Sequence, residues 1–223
     1  MVAVDGRTHG ADAVVAATAA ERRRFADLLA RLDAAQLAAP SLCAGWDVRT
    51  VAGHLVAALD VPLGAFLLAA LHRGGRLHRA NDDLARRSAR RPVAELVAVL
   101  RERAENRSAP PVVGLRGPLA DVLVHTGDVA LPLGLPHDPP PAAVRIALEF
   151  ATTGRPVGFV RRGALSGLRL VAADCEFAWG GGHEVRGRGI DVLLAACGRA
   201  AAASRLQGAG VPLLLRRTGP AGG

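Results

Sequence analysis

The apolar residues in the first two thirds of this chain recur with the period of an α-helix. In the first long segment they are separated by three- and four-residue steps, and Glu21, Arg22 and Arg23 fall on the opposite face. Proline and glycine divide the chain beyond this segment into similar pieces, with helices predicted over residues 48–59, 62–74, 81–90, 118–130 and 142–153 and another beginning at Pro92. Amphipathic helices bury their apolar faces against one another, so a helical bundle is predicted over residues 11–155.

The hydrophobic pattern changes after Gly154. Apolar and polar residues then alternate, as in half-buried strands, over residues 168–172, 175–179 and 184–187. Residues 191–205 are predicted to form a helix and residues 211–215 a closing strand. The predicted fold is therefore mainly α, with a small α+β domain over residues 156–217 after the bundle.

The charge of the chain is strongly positive but carries no sign of nucleic-acid binding. The formal net charge is +8, and the sequence contains no lysine, so every basic side chain is an arginine. The absence of lysine, together with abundant alanine, glycine and arginine, is typical of a GC-rich genome. The arginines are spread along the chain without interleaved aromatic residues, unlike those of a nucleic-acid interface. No apolar run is long enough to cross a bilayer, and the first 20 residues lack the pattern of a secretory signal. We therefore expect a cytoplasmic protein without nucleic-acid or membrane partners.

The three cysteines have no spacing typical of a metal site. Cys43, Cys175 and Cys197 are predicted to be buried thiols.

A carboxylate and an imidazole stand four residues apart in an apolar segment, at Asp121 and His125. On a helix this spacing places both side chains on one face, which is half of a metal site. His54 lies in the second turn of another predicted helix and is the best candidate for a third ligand. Two nitrogens, one oxygen and a water would form an open catalytic site for zinc or a similar divalent metal.

The same residues also have a simpler interpretation. A histidine on an apolar helix face is often a hydrogen-bonded core residue, and Asp121 in a first turn would favour the helix dipole. Asp128 is either a hydrogen-bond partner of a ligand histidine or a polar residue near a helix end. The remaining histidines are predicted to be solvated, namely His9, His72, His78, His137 and His183.

Several segments resemble one known family. Residues 42–49, Leu-Cys-Ala-Gly-Trp-Asp-Val-Arg, followed by His54, resemble the N-terminal signature of the mycothiol-dependent maleylpyruvate isomerases, a branch of the DinB-like four-helix metalloenzymes. Residues 121–128 resemble the second signature of that family. The tail resembles its C-terminal domain, which is similar to sterol-carrier-protein folds, over residues 170–174, 179–180, 184–187 and 198–199.

The resemblance implies a zinc-type site that falls on His54, Asp121 and His125, with mycothiol, the low-molecular-weight thiol of actinobacteria, as cosubstrate. In the isomerases the thiolate adds to a conjugated double bond and leaves after rotation, whereas other members transfer the thiol. Two positions depart from the family pattern. A glutamate is replaced by Asp121, which is one methylene shorter, and an aromatic residue is replaced by Gly127, which we expect to widen the pocket.

Arg199 is a candidate catalytic residue, because an arginine from the C-terminal domain could grip the carboxylate of a substrate or thiol. Its alternative is a surface ion pair. The sequence thus predicts a metal- and mycothiol-dependent enzyme, a monomer or homodimer, that acts on a small electrophilic or unsaturated acid. Cis–trans isomerisation and thiol transfer or exchange both remain open, as does a non-catalytic binding protein with a decayed metal site.

Overall fold

The computed structural model describes residues 5–61, 64, 77–110 and 112–218. The helices are α1 (Asp5–Leu29), α2 (Ala34–Ala38), α3 (Val48–Asp60), α4 (Leu77–Ala89), α5 (Val93–Glu102), α6 (Arg116–Ala130), α7 (Pro141–Thr153), α8 (Gly189–Ala196) and α9 (Val211–Thr218). The strands are β1 (Leu168–Ala172), β2 (Phe177–Gly180) and β3 (His183–Arg186). The predicted helix over residues 62–74 lies, apart from residue 64, outside the described residues.

A helical bundle forms the first part of the fold, as predicted. Helix α1 packs on α5 and α6, and α3 packs on the same two helices. Their apolar stripes meet in a core that includes Phe25, Val51, Leu96, Leu100 and Leu123. The bundle thereby places α3 and α6, which carry the predicted ligands, side by side.

The sequence predicted Glu21, Arg22 and Arg23 on the polar face of α1, and this was wrong for the first two. Glu21 and Arg22 are both buried. The Arg22 guanidinium donates to the carbonyl oxygens of Ala104 at 2.7 Å and Asn106 at 3.0 Å. Arg22 therefore binds the chain that comes after α5, and its aliphatic stem extends the buried stripe.

Helix α4 packs closely on α3 because residue 53 has no side chain. A Cβ atom at Gly53 would lie 2.3 Å from the carbonyl oxygen of Ala85 and 2.6 Å from the nitrogen of Ala89. Only glycine permits this approach. It brings the first half of α4 over the face of α3 that carries His54.

The C-terminal part contains a three-stranded sheet in the order β2-β1-β3. Strand β1 is antiparallel to β2 and parallel to β3, with Leu170 opposite both Trp179 and Val185. The alternate residues Leu168, Leu170 and Ala172 are buried, and β1 contacts α8. The mainly helical fold with a small α+β part is therefore confirmed, whereas the boundary after residue 155 and the likeness to sterol carrier proteins stay predictions.

Two predicted element boundaries in this part were wrong. Cys175 ends a short 3-10 helix, and Glu176 has a left-handed backbone with φ of 51°, so the strand begins only at Phe177. Helix α8 stops at Ala196, and residues Ala200–Arg205 form a separate 3-10 helix.

The predicted closing strand over residues 211–215 is helix α9. A short apolar run does not distinguish a strand from a helix turn. Pro212 is tolerated in the first turn of a helix, and Leu214 alone is fully buried. No helix among the described residues has the length and apolar character needed to span a membrane.

Candidate metal centre

The structure brings together the three residues that the sequence proposed as ligands. Asp121 and His125 lie one turn apart on α6, and His54 faces them from α3. One oxygen of Asp121 lies 3.4 Å from His54 Nε2, and its other oxygen lies 3.4 Å from His125 Nε2. The two imidazole rings are 4.7 Å apart between centroids. The side chains of His54 and His125 are only 13% and 12% exposed, so the cluster is largely shielded from water.

Each histidine has an oxygen acceptor on its Nδ1. His54 Nδ1 lies 3.1 Å from the amide oxygen of Asn81, on α4, and His125 Nδ1 lies 2.9 Å from Asp128 Oδ2. Both acceptors favour the tautomer that carries its proton on Nδ1. The Nε2 lone pairs then point into the cluster, which is the orientation that a metal ligand requires.

The donor atoms fit a small divalent metal. His54 Nε2 is buried and has no hydrogen-bond partner among the described residues, and an orphaned buried nitrogen of this kind is costly. Ligands at about 2.0–2.1 Å from a tetrahedral ion are roughly 3.4 Å from one another. That is also the separation of each Nε2 from its nearer Asp121 oxygen, 3.4 Å.

Electrostatics link the protonation of Asp121 to that of His125. Burial raises the pKa of the Asp121 carboxyl, but the adjacent His54 and His125 lower it more, to well below its usual value. Burial lowers the pKa of His125, but Asp121 and Asp128 raise it more, to well above its usual value. Without a metal the cluster therefore holds a proton, which a bound metal would displace.

Asp128 is fully buried and receives several donors. Arg199 donates to its Oδ1 from Nε at 2.8 Å and to its Oδ2 from Nη2 at 2.7 Å. Burial raises the pKa of Asp128, but Arg199 and His125 lower it more, to well below its usual value. An ionised carboxylate only accepts hydrogen bonds, so His125 Nδ1 is the donor in this pair. Arg199 is thus neither free nor in a surface ion pair, and its predicted catalytic role stays a prediction.

Cys43 is a further residue of the site, and its burial was predicted incorrectly. It is only half-buried, and its Sγ lies 3.0 Å from Asp128 Oδ2 and 3.6 Å from His125 Nδ1. Cys175 and Cys197 are buried as predicted, and burial raises the pKa of their thiols to about 11 and about 12. Cys43 lies in the segment that resembles the family signature, residues 42–49. This was the sequence signal that could have placed Cys43 at the site.

Trp46 forms one wall beside both histidines. Its ring centroid lies 5.4 Å from that of His54 and 6.4 Å from that of His125. The indole Nε1 donates to Asp82 at 2.6 Å, and Asp82 in turn pairs with Arg86 at 3.0 Å. Helix α4 therefore fixes the orientation of Trp46 as well as supplying Asn81, a role that the sequence did not indicate.

Two further expectations about this region were wrong. Gly127 does not widen the pocket, because a Cβ atom there would lie 2.7 Å from Leu194 Cδ2 of helix α8. His137 is half-buried, and its Nε2 donates to the carbonyl of Leu123 at 3.0 Å. His78 and His183 are exposed as predicted, whereas His72 and the side chain of His9 lie outside the described residues.

The fold and the set of donor atoms define the class of protein, a helical bundle with a candidate metal centre. Two imidazole nitrogens and a carboxylate on neighbouring helices of a bundle form a candidate centre for a divalent metal. Residues 18–111 match the family model described as the mycothiol maleylpyruvate isomerase N-terminal domain, which supports the family resemblance over this part of the chain. The match includes His54 and ends before Asp121.

Solved structures with this fold cover nearly the whole chain. The crystal structure of a histidine-to-alanine mutant of the mycothiol-dependent maleylpyruvate isomerase is 18% identical, with a TM-score of 0.51, and the match covers 89% of this chain and 92% of that chain. A second crystal structure, of the mycothiol-dependent maleylpyruvate isomerase, is 15% identical with the same coverage and a TM-score of 0.49. At 18% identity, the likeness to the first of these structures shows a shared fold. No curated protein matches the chain.

Proposed function

We propose that this chain is a metal- and mycothiol-dependent enzyme that acts in the cytoplasm on a small electrophilic or unsaturated acid. The observation that carries this proposal is the orphaned, buried Nε2 of His54 beside an Asp121 carboxylate shared with His125. The family model that matches residues 18–111 supports the thiol and the isomerase-like chemistry. A monomer or homodimer is part of the proposal.

The three side chains would hold zinc or a similar divalent metal. Such an ion, when bound, lowers the pKa of a thiol and so supplies its nucleophilic thiolate form. Asn81 and Asp128 orient the two imidazoles, and Trp46 limits the access of water to one side of them. The protein's own contribution is therefore a largely dry, pre-oriented set of ligand atoms.

Arg199 is the proposed contact for the substrate or thiol carboxylate. Its Nε and Nη2 are occupied by Asp128, and its Nη1 donates to the carbonyl of Cys197 at 2.7 Å. A guanidinium has five N–H groups, so one on Nη1 remains. The Nη2 contact with Cys43 Sγ is long, at 3.8 Å, and can be exchanged. The side chain is 20% exposed, which leaves an edge for an incoming anion.

The proposed reaction is addition of the thiolate to a conjugated double bond, rotation, and loss of the same thiol, so that the thiol is not consumed. In the alternative, thiol transfer or exchange, the thiol stays on the product. Mass spectrometry of the products distinguishes the two, because only transfer adds the mass of the thiol to the acid.

The metal site is tested on protein purified without chelator. We expect about one zinc-type ion per chain in the wild type and less than a tenth of that in His54→Ala and His125→Ala. His183→Ala, which removes an exposed histidine of β3, is the matched control and should keep its metal. Circular dichroism of all forms separates ligand loss from unfolding.

An optical readout reports on the same site. The chain has two tryptophans, so in a Trp179→Phe variant the emission comes from Trp46 alone. Cobalt should quench this emission because Trp46 contacts both candidate ligands. Absence of both bound metal and quenching in folded wild-type protein would refute the proposal.

A second candidate function is ligand binding without catalysis. A pocket of about 310 Å³ lies beside the C-terminal part of the fold, lined in part by Phe159, Arg161, Cys197 and Thr218. A small molecule that co-purifies with metal-free, folded protein would favour this candidate over the enzyme.

A further inference from the structure

We infer that Arg199 of the C-terminal part positions His125 through Asp128, so that docking of the C-terminal part sets the metal affinity of the bundle. This inference rests on the proposed function, since it concerns the same metal centre. It gives Arg199 a positioning role in addition to any contact with a substrate.

Arg199 binds Asp128 through two parallel hydrogen bonds. Arg199 Nε meets one carboxylate oxygen at 2.8 Å and Nη2 meets the other at 2.7 Å. Two parallel hydrogen bonds fix the plane of a carboxylate as well as its position. Asp128 is fully buried, so its carboxylate depends on donors from the protein and not on bulk water.

Asp128 is in turn hydrogen-bonded to the candidate metal ligand His125. Asp128 Oδ2 accepts from His125 Nδ1 at 2.9 Å, and the opposite nitrogen of that ring faces Asp121 at 3.4 Å. A carboxylate in this place sets both the tautomer and the rotation of a ligand histidine. Any shift of Asp128 therefore moves the Nε2 atom that would bind the metal.

Two hydrogen bonds to the end of α8 hold Arg199 in place. Its backbone nitrogen donates to the carbonyl of Leu194 at 2.9 Å, and its Nη1 to the carbonyl of Cys197 at 2.7 Å. Gly198, with φ of 89°, allows the chain to turn back after α8. The end of α8 therefore fixes the position of this guanidinium.

Helix α8 is docked on α6 next to Asp128. The Leu194 side chain is fully buried and lies against Gly127, where a Cβ atom would be 2.7 Å from Leu194 Cδ2. The same helix thus supplies an apolar contact at residue 127 and, just past its end, a cation for residue 128. Together these contacts connect the C-terminal part to the metal ligand on α6.

The test measures the metal dissociation constant by competition with a chelating dye. We expect Arg199→Gln to raise the Kd about 10- to 100-fold, because that is the usual effect of losing an outer partner of a ligand histidine. Asp128→Asn should act similarly. The Kd of the double variant should be about equal to that of the more affected single variant, because both changes break the same connection.

Two further variants control for side effects. Arg205→Gln removes an arginine of the C-terminal part that pairs with Asp191 at 3.5 Å, and its Kd should stay within about twofold of wild type. Arg199→Lys keeps the charge but loses the two parallel hydrogen bonds, so its Kd should lie between those of wild type and Arg199→Gln. Lysine preserves the buried charge pair, so this variant carries the test if Arg199→Gln does not fold.

The outcomes are distinguishable. A raised Kd in Arg199 variants that circular dichroism shows to be folded under the assay conditions, with Arg205→Gln unchanged, supports the inference. An unchanged metal Kd in folded Arg199→Gln and Arg199→Lys overturns it and leaves the proposed function intact. A wild-type protein that binds no metal overturns both.

Discussion

The pH dependence of stability should contain a contribution from His137. Burial lowers the pKa of this imidazole from 6.5 to about 4, and the Leu123 carbonyl and Asp138 offset only part of the effect. The folded pKa lies below the unfolded one, so the unfolded chain binds more protons between the two values. The stability that neutral His137 provides is therefore present above about pH 6.5 and is lost progressively down to about pH 4.

The size of this loss can be calculated from the two pKa values. One pKa unit corresponds to about 1.4 kcal/mol, and at pH 5 the linkage gives a loss of about 2 kcal/mol relative to pH 7.5. A glutamine at this position can still donate to the Leu123 carbonyl but does not titrate. His137→Gln should therefore remove about 2 kcal/mol of the pH dependence between these two pH values.

Urea denaturation at pH 5 and pH 7.5 measures this difference for wild type and His137→Gln. His125 also contributes to the pH dependence because its folded pKa is raised, but it does so in both proteins and cancels in the comparison. His183→Gln is the control, because that histidine is exposed. If wild type and His137→Gln lose equal stability on acidification, burial does not lower the pKa of His137.

Three further predictions concern the surroundings of the site. Asn81→Leu removes the acceptor for His54 Nδ1 and should raise the metal Kd about tenfold, as measured by dye competition; an unchanged Kd would show that Asn81 does not orient the ligand. Gly127→Ala should destabilise the fold by about 1–2 kcal/mol in urea, because overpacking against Leu194 outweighs the helix propensity of alanine; a more stable variant would contradict the close approach of α8. Iodoacetamide should label Cys43 before Cys175 and Cys197, because those two thiols are buried and their pKa values are raised; peptide mass spectrometry would show equal labelling if the half-buried position of Cys43 were wrong.

Local sequence patterns were sufficient for the parts of the site that lie on one helix. Asp121 and His125 share a face because four residues make about one turn, and this needs no knowledge of the fold. His54 was identified from an apolar helix face and from the family resemblance. Its position next to Asp121 and His125 of α6 depends on how the helices of the bundle pack, which the local sequence does not show.

Contacts between distant segments could not be read from the sequence. Asn81 and Trp46 reach the site because Gly53 lets α4 approach α3, and no local pattern encodes that approach. Arg199 lies 71 residues from Asp128 along the chain, so the sequence left its partner open.

Some local predictions failed because short segments are ambiguous. Residues 211–215 contain an apolar run that fits either a strand or one helical turn. In the folded chain the Leu214 nitrogen donates to the Gly210 carbonyl at 2.9 Å, which is the bond of a helix. His137 lies in a proline-rich loop that looked solvated, yet the loop folds back onto the carbonyl of Leu123 in α6.

The central claim is that His54, Asp121 and His125 hold a divalent metal. Crystals grown with zinc, with diffraction data collected on both sides of the zinc absorption edge, test it most directly. We predict one anomalous peak at about 2.0–2.2 Å from His54 Nε2, an Asp121 oxygen and His125 Nε2. Well-ordered crystals with these three side chains in place, no peak between them and His54 paired directly with Asp121 would contradict it.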